Sequence, residues 1–211
     1  MARELNTRGI AAFVLKYRLP SDEIMQNREI GPLQDAQRAI QIVRQRAAEW
    51  HIAPNKIGIA GFSAGGHLAS TLSTHYTKAV VDNPDKISLR PDFSILVYPV
   101  ISFQDSLVHK GSKKALIGEN ASAEKVMEYS NEMQVTADTP PAFLIHSEND
   151  KVVPVTNSIN YFNALHAHGV KAEMHIYQGG GHGYGMNNAT TKDRWMDHLY
   201  NWLQANQLLP L

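Results

Sequence analysis

The chain has 211 residues, with 20 basic side chains balancing 20 acidic ones and no cysteine. A chain of this length buries roughly 70% of its unfolded surface, so residues 1–211 read as a single domain that needs no staples. A formal charge of zero removes the electrostatic footprint of a nucleic-acid binder, and the absence of thiols excludes disulfides, thiolate catalysis and cysteine metal sites. No stretch approaches the roughly 20 apolar residues of a membrane span. The opening MARELNTRGI lacks the apolar segment of a secretory leader, and the compartment stays open.

Residues 10–17, IAAFVLKY, read as a buried strand, the first of about five. Pro32 opens a helix to about Trp50, with Leu33, Ala36, Ile40, Val43 and Ala47 spaced as one apolar stripe. KIGIAGF (56–62) is the next strand, and 64–76 is a helix packing through Leu68, Leu72 and Tyr76. Further strands follow at 92–98, 141–147 and 172–178, separated by helices near 156–168 and 190–204. This alternation predicts the α/β class, a mostly parallel sheet with helices on both faces. One polar excursion, 99–140, interrupts it, with a short helix in SAEKVMEYSNE (122–132). It is expected to lie over the C-terminal edge of the sheet, beside the active site, and to shape the pocket.

Chemistry concentrates at the junction of the 56–62 strand and the following helix. Gly61-Phe62-Ser63-Ala64-Gly65 matches a nucleophile elbow, in which a tight strand-to-helix bend throws the serine hydroxyl clear of the sheet. Glycine reads as required at both 61 and 65, because a Cβ at either would collide. A serine nucleophile needs a histidine base, and the histidine needs a carboxylate to fix its tautomer. In this fold these follow in the order serine, acid, histidine, each on a loop at the C-terminal end of a strand. Asp150 after the 141–147 strand and His182 in the glycine-rich loop after 172–178 satisfy both conditions. Asp105, after the 92–98 strand, is the rival acid. His67 and His146 read as structural histidines. His166 and His168, two apart on a helix, do not make a metal site. Trp50, Trp195 and Trp202 read as core, and Tyr98-Pro99 as pocket lining or packing.

GFSAGGHLA (61–69), HSENDKVVPV (146–155) and HIYQGGGHGYG (175–185) together resemble the α/β-hydrolase superfamily, and most of all its bacterial carbohydrate esterase branch of acetyl xylan esterases and acetylesterases. The resemblance runs from about Gly9 to about Leu203. It implies a serine carboxylesterase acting on acetyl esters of a carbohydrate such as xylan or its oligomers. Ser63 would be the nucleophile, His182 the base, Asp150 the orienting acid and the Ala64 N–H an oxyanion donor at a helix N-terminus. No metal or organic cofactor is required, and the partner is a small-molecule or oligosaccharide ester rather than nucleic acid or membrane. Family members carry further strands ahead of the segment matching 10–17, with a glycine-rich loop donating the second oxyanion N–H. This chain is N-terminally short by comparison, and ARELNTRG matches the tail of a helix closed by Gly9. Residues 10–17 are then expected to pair directly with 57–62, unless a second copy in a homo-oligomer fills the slot or the natural protein possesses further residues ahead of these. Two other readings are a serine peptidase of the prolyl-oligopeptidase type, which shares the triad order, and a chain with little or no catalytic activity.

Overall fold

The computed structural model describes residues 1–209. Apolar runs rich in β-branched and aromatic residues form four strands, β1 (Gly58–Phe62), β2 (Phe93–Val97), β3 (Ala142–Ser147) and β4 (Ala172–Tyr177). They pair in chain order, every neighbour parallel. The two central strands, β2 and β3, are buried along their whole length, as both faces of a parallel sheet must be when crossover helices cover them. The same edge of the sheet therefore collects the C-terminal ends of all four strands.

Side-chain alternation assigns each face its helices. Ile95, Val97, Phe143 and Ile145 point toward Trp195, Leu199 and Trp202 of α7 (Trp195–Ala205). Leu5 of the short helix α1 (Ala2–Thr7) joins that cluster. On the other face, Leu96 and Leu144 meet Ala69 of α3 (Ala64–His75) and Tyr161 and Leu165 of α6 (Thr156–Ala167). Leu33, Ala36 and Ile40 of α2 (Gly31–Gln45) pack on Leu68 and Leu72 of α3. Of the apolar stripe expected on α2, Leu33, Ala36 and Ile40 are buried and Val43 partly so, but the helix stops at Gln45 rather than near Trp50, which leaves Ala47 beyond it.

Among the described residues the sheet has four strands where about five were expected, and the difference lies in residues 10–17. That run forms no strand and does not pair with β1. Phe13 and Val14 are 53% and 85% exposed. The Phe13 ring lies against Trp50, 4.8 Å between centroids, and Tyr17 packs on the α2–α3 cluster. An apolar, β-branched run becomes a strand only where a neighbour accepts its backbone N–H and C=O groups. Here no strand lies alongside, and most of the run is exposed. The helix end expected at Gly9 is present, with Gly9 in the left-handed region at φ 73° just past α1.

The 99–140 excursion contains two short helices, α4 (Lys110–Ile117) and α5 (Ala123–Glu128), and a 3-10 turn at Asn131–Met133. Only the second helical region was legible. α4 is capped by the His109 ring, which accepts from the Ser112 N–H, an unusual cap with no sequence signature. The excursion begins beside Ser63, whose carbonyl accepts from the Val100 N–H at 3.1 Å. It then runs along α3. The ring of His67, in the first turns of α3, stacks on Phe103 at 4.4 Å, and its Nε2 donates to the Tyr129 carbonyl at 2.9 Å. The Asn131 amide donates to the Ser70 and Thr71 hydroxyls. At the far side, Asn157 of α6 accepts from the N–H groups of Ile101 and Ser102.

His67 is fully enclosed, and burial lowers its pKa from the ordinary 6.5 to about 4, against the opposing pull of the Tyr129 carbonyl. Folded and unfolded chains both hold it neutral above 6.5. As pH falls from 6.5 toward 4, only the unfolded chain takes up the proton, so stability is lost through that window. Urea unfolding should therefore show the wild type losing about 2 kcal/mol more than His67→Gln between pH 7 and pH 5. Parallel losses in the two proteins would show that His67 is solvated or protonated in the fold.

Candidate active site

The bend after β1 places Ser63 in a backbone conformation that side chains rarely adopt, φ 52° and ψ −119°. Such strain costs on the order of 1–3 kcal/mol and persists only where the surroundings over-determine it. Two contacts impose it here. A Cβ on Gly61 would lie 2.1 Å from the Gly65 carbonyl oxygen, and one on Gly66 would lie 2.8 Å from the Cα of Pro99. Gly65 is different, because its Cβ would meet only the Tyr17 hydroxyl at an ordinary 4.0 Å. The tight positions are therefore 61 and 66, and the expectation of a steric demand at 65 is corrected. The turn starts α3 at Ala64, and the Ala64 N–H, at the helix's first position, has no upstream carbonyl within the helix to bond.

Ser63 Oγ lies 2.8 Å from His182 Nε2. On the far side of the ring, His182 Nδ1 lies 2.6 Å from Asp150 Oδ2. The carboxylate accepts at this position, so Nδ1 carries the proton and Nε2 is left free to accept from the serine hydroxyl. The structure thus brings Ser63, His182 and Asp150 into one hydrogen-bonded line from loops after β1, β4 and β3. Asp105 lies elsewhere, with a side chain 96% exposed and paired with Lys113 at 3.2 Å.

Asp150 is held by its own loop. Its Oδ1 accepts from the N–H groups of Val152 and Val153 at 2.8 and 2.9 Å. Burial pushes the carboxyl up, but the Val153 N–H, the His182 contact and the Val152 N–H outweigh it, and the group stays below the usual carboxylate range. It is therefore an anion at neutral pH. The His182 loop owes its glycines to its backbone, with Gly180, Gly181, Gly183 and Gly185 at φ between 60° and 126°. The loop is tied down at two points, where Gly181 N–H donates to Asn149 Oδ1 and Gly185 N–H to the Tyr98 hydroxyl.

Tyr98 is buried, and its ring lies 4.8 Å from that of His182. It too is strained, at φ 36°. Its part is to hold the histidine loop, which a motif search for nucleophile and base does not find. His146 also proves to be more than core packing, since its Nε2 lies 3.2 Å from Asp150 Oδ2. Trp195 and Trp202 are core residues, and Trp50 is half-buried beneath Phe13.

Comparison with known proteins places the chain in a family. Residues 1–165 match the family model described as BD-FAE. The chain is 39% identical over 206 residues to an acetylxylan esterase of Xylanibacter ruminicola, covering 95% of this chain and 40% of that protein. It is 35% identical over 208 residues to endo-1,4-beta-xylanase B of Butyrivibrio fibrisolvens, covering 97% of this chain and 32% of that one. The chain thus spans less than half the length of these curated relatives. Its fold superposes on the acetyl ester-xyloside bifunctional hydrolase of Caldicellulosiruptor lactoaceticus with a TM-score of 0.89 and 42% identity, over 99% of this chain and 76% of that one.

The glycine contacts separate three substitutions. Gly61→Ala and Gly66→Ala should each lower stability by about 1–3 kcal/mol, as overpacking against backbone does. Gly65→Ala should stay within about 1 kcal/mol of wild type, on the stabilising side, since alanine suits a helix better than glycine. Thermal unfolding of the three variants checks the order, and a Gly65 variant as damaged as Gly61→Ala would contradict it.

Proposed function

Because the chain belongs to the BD-FAE family and has the α/β-hydrolase fold, we propose that it is a serine carboxylesterase that removes acetyl groups from a carbohydrate, xylan or its oligomers. The observation that carries this reading is the unbroken hydrogen-bonded line from Ser63 through His182 to Asp150, standing on a strained strand-to-helix turn. The names of the relatives, an acetylxylan esterase, a xylanase and an acetyl ester-xyloside hydrolase, support acetyl as the acyl group and xylan as its carrier.

The steps follow from the placement of the protons. His182 Nε2 takes the proton of the Ser63 hydroxyl as its oxygen attacks the ester carbonyl, and Asp150 stabilises the imidazolium that results. The carbonyl oxygen becomes an oxyanion facing the N-terminus of α3, where the Ala64 N–H donates to it. His182 returns the proton to the ester oxygen of the sugar as its bond to the carbonyl carbon breaks, and the sugar leaves with a free hydroxyl. Water then attacks the acetyl-serine by the same route in reverse and frees acetate. The excursion that starts beside Ser63 shapes the pocket for the acyl group and the sugar.

A fluorophosphonate probe should label wild type at Ser63 and leave Ser63→Ala unlabelled, and wild type alone should hydrolyse p-nitrophenyl acetate and acetylated xylo-oligosaccharides. Cleavage of proline-containing peptides with no ester turnover would favour a peptidase, and an unreactive Ser63 would mean a non-catalytic chain. Asp150→Asn should cost about 10⁴ in kcat, because it leaves His182 in the wrong tautomer. Asp105→Asn, on the surface, should stay close to wild type. Equal losses at the two aspartates would overturn the assignment of the acid.

A further inference from the structure

The Asp150 carboxylate has a second histidine against it. His146, in β3, is fully buried. Its Nε2 faces two oxygens that can only accept, the Val153 carbonyl at 3.0 Å and Asp150 Oδ2 at 3.2 Å. Nε2 must therefore carry a proton. Its Nδ1 lies 2.8 Å from the hydroxyl of Ser158, a buried residue of α6, and in the neutral ring Nδ1 accepts from that hydroxyl. Both ring nitrogens and the tautomer are thereby fixed by three groups on two segments, the loop after β3 and α6.

We propose that His146 is a positioning residue of the site, a neutral N–H donor that shares Asp150 Oδ2 with His182 and so sets how strongly Asp150 holds the histidine base. The proposal rests on the esterase reading of Ser63, His182 and Asp150 given above. A merely structural histidine would have its Nε2 proton directed only at the Val153 carbonyl. This one bridges that carbonyl and the one carboxylate oxygen that His182 uses.

The surroundings favour the neutral form. Burial lowers the His146 pKa, opposed by the charge of Asp150 and by the Val153 carbonyl. The titratable groups facing the Asp150–His146 pair are His182 and Tyr184 from the loop after β4 and Tyr98 after β2, while α6 presents the uncharged Ser158 hydroxyl. Burial holds both tyrosines above their ordinary range. No fixed positive charge in this set takes over the part of the His146 N–H. That hydrogen bond draws charge off Oδ2 without adding a formal charge. Without it, Asp150 holds the His182 Nδ1 proton more tightly and favours the imidazolium of the free enzyme. The base is then blocked by its own proton at higher pH.

Two variants of similar polarity separate this role from packing. The side-chain amide introduced by His146→Gln reaches the place of Nε2, whereas the one introduced by His146→Asn reaches only the place of Nδ1. In kcat/KM for p-nitrophenyl acetate against pH, His146→Asn should move the acid limb up by about 0.5 to 1 pH unit, and His146→Gln should restore it to the wild-type position. An unmoved acid limb in a folded His146→Asn, or an equal shift in both variants, overturns the proposal, whatever happens to kcat or thermal stability. If neither variant folds, ¹⁵N spectra of the wild-type imidazoles decide. A neutral His146 whose Nε2–H signal shifts as His182 takes up its proton upholds it, whereas an Nε2–H signal that does not respond, or a proton on Nδ1 alone, overturns it. The esterase reading fails separately, if wild type does not hydrolyse the ester or Ser63→Ala still does.

Discussion

The approach of the Gly65 carbonyl to Gly61, closer than any side chain would allow, determines where strand β1 stops and helix α3 begins. With that contact made, the chain reverses within two residues, and Ser63 is left at a φ of 52° with its side chain standing off the sheet. Its carbonyl is then taken by the N–H groups of Gly66 and Val100, so the bend is locked from the helix side and from the segment after β2. The parallel order of the strands does the rest. Loops after β3 and β4 emerge on the same edge as the bend, and Asp150 and His182 need only short excursions to reach it.

Much of this was legible because parallel sheets write themselves as short, wholly apolar runs. ILV in β2 and FLI in β3 are buried on both faces. The site was legible for a related reason, since chain order and the ends of strands place three residues that are far apart in sequence. Residues 10–17 misled because they carry the same kind of run, and composition cannot say whether a neighbouring strand will be there to receive it. Gly65 misled by symmetry, the motif suggesting that its two glycines act alike when only the contact of Gly61 with backbone is tight. The pairing of His146 with Asp150 left no trace, because a buried histidine at a strand end has the same sequence context whether or not a carboxylate turns toward it.

The excursion shows how a polar segment can be held as firmly as an apolar one. Asn131 donates to two hydroxyls of α3, Asn157 accepts from two consecutive backbone N–H groups, and the Ser102 hydroxyl donates to Glu132. Each of these groups is buried, so leaving any of them unpaired would cost about 1–3 kcal/mol. Such a network specifies one arrangement more narrowly than apolar contacts do, because a small displacement breaks several bonds at once. A segment that borders Ser63 is thereby fixed to the same helix that Ser63 begins.

The hydrogen bond between Ser63 and His182 closes a loop of 119 residues. Contacts of such separation are the last to be favourable during folding, since the entropy of bringing the ends together must be met before the contact can form. The imidazole meets the hydroxyl only with all four strands in one sheet. A collapsed intermediate with its helices formed and β4 still undocked would show most of the native circular dichroism and none of the reactivity at Ser63. Reactivity of that hydroxyl therefore reports that β4 and its loop are docked beside β1–β3, rather than the compaction of the chain.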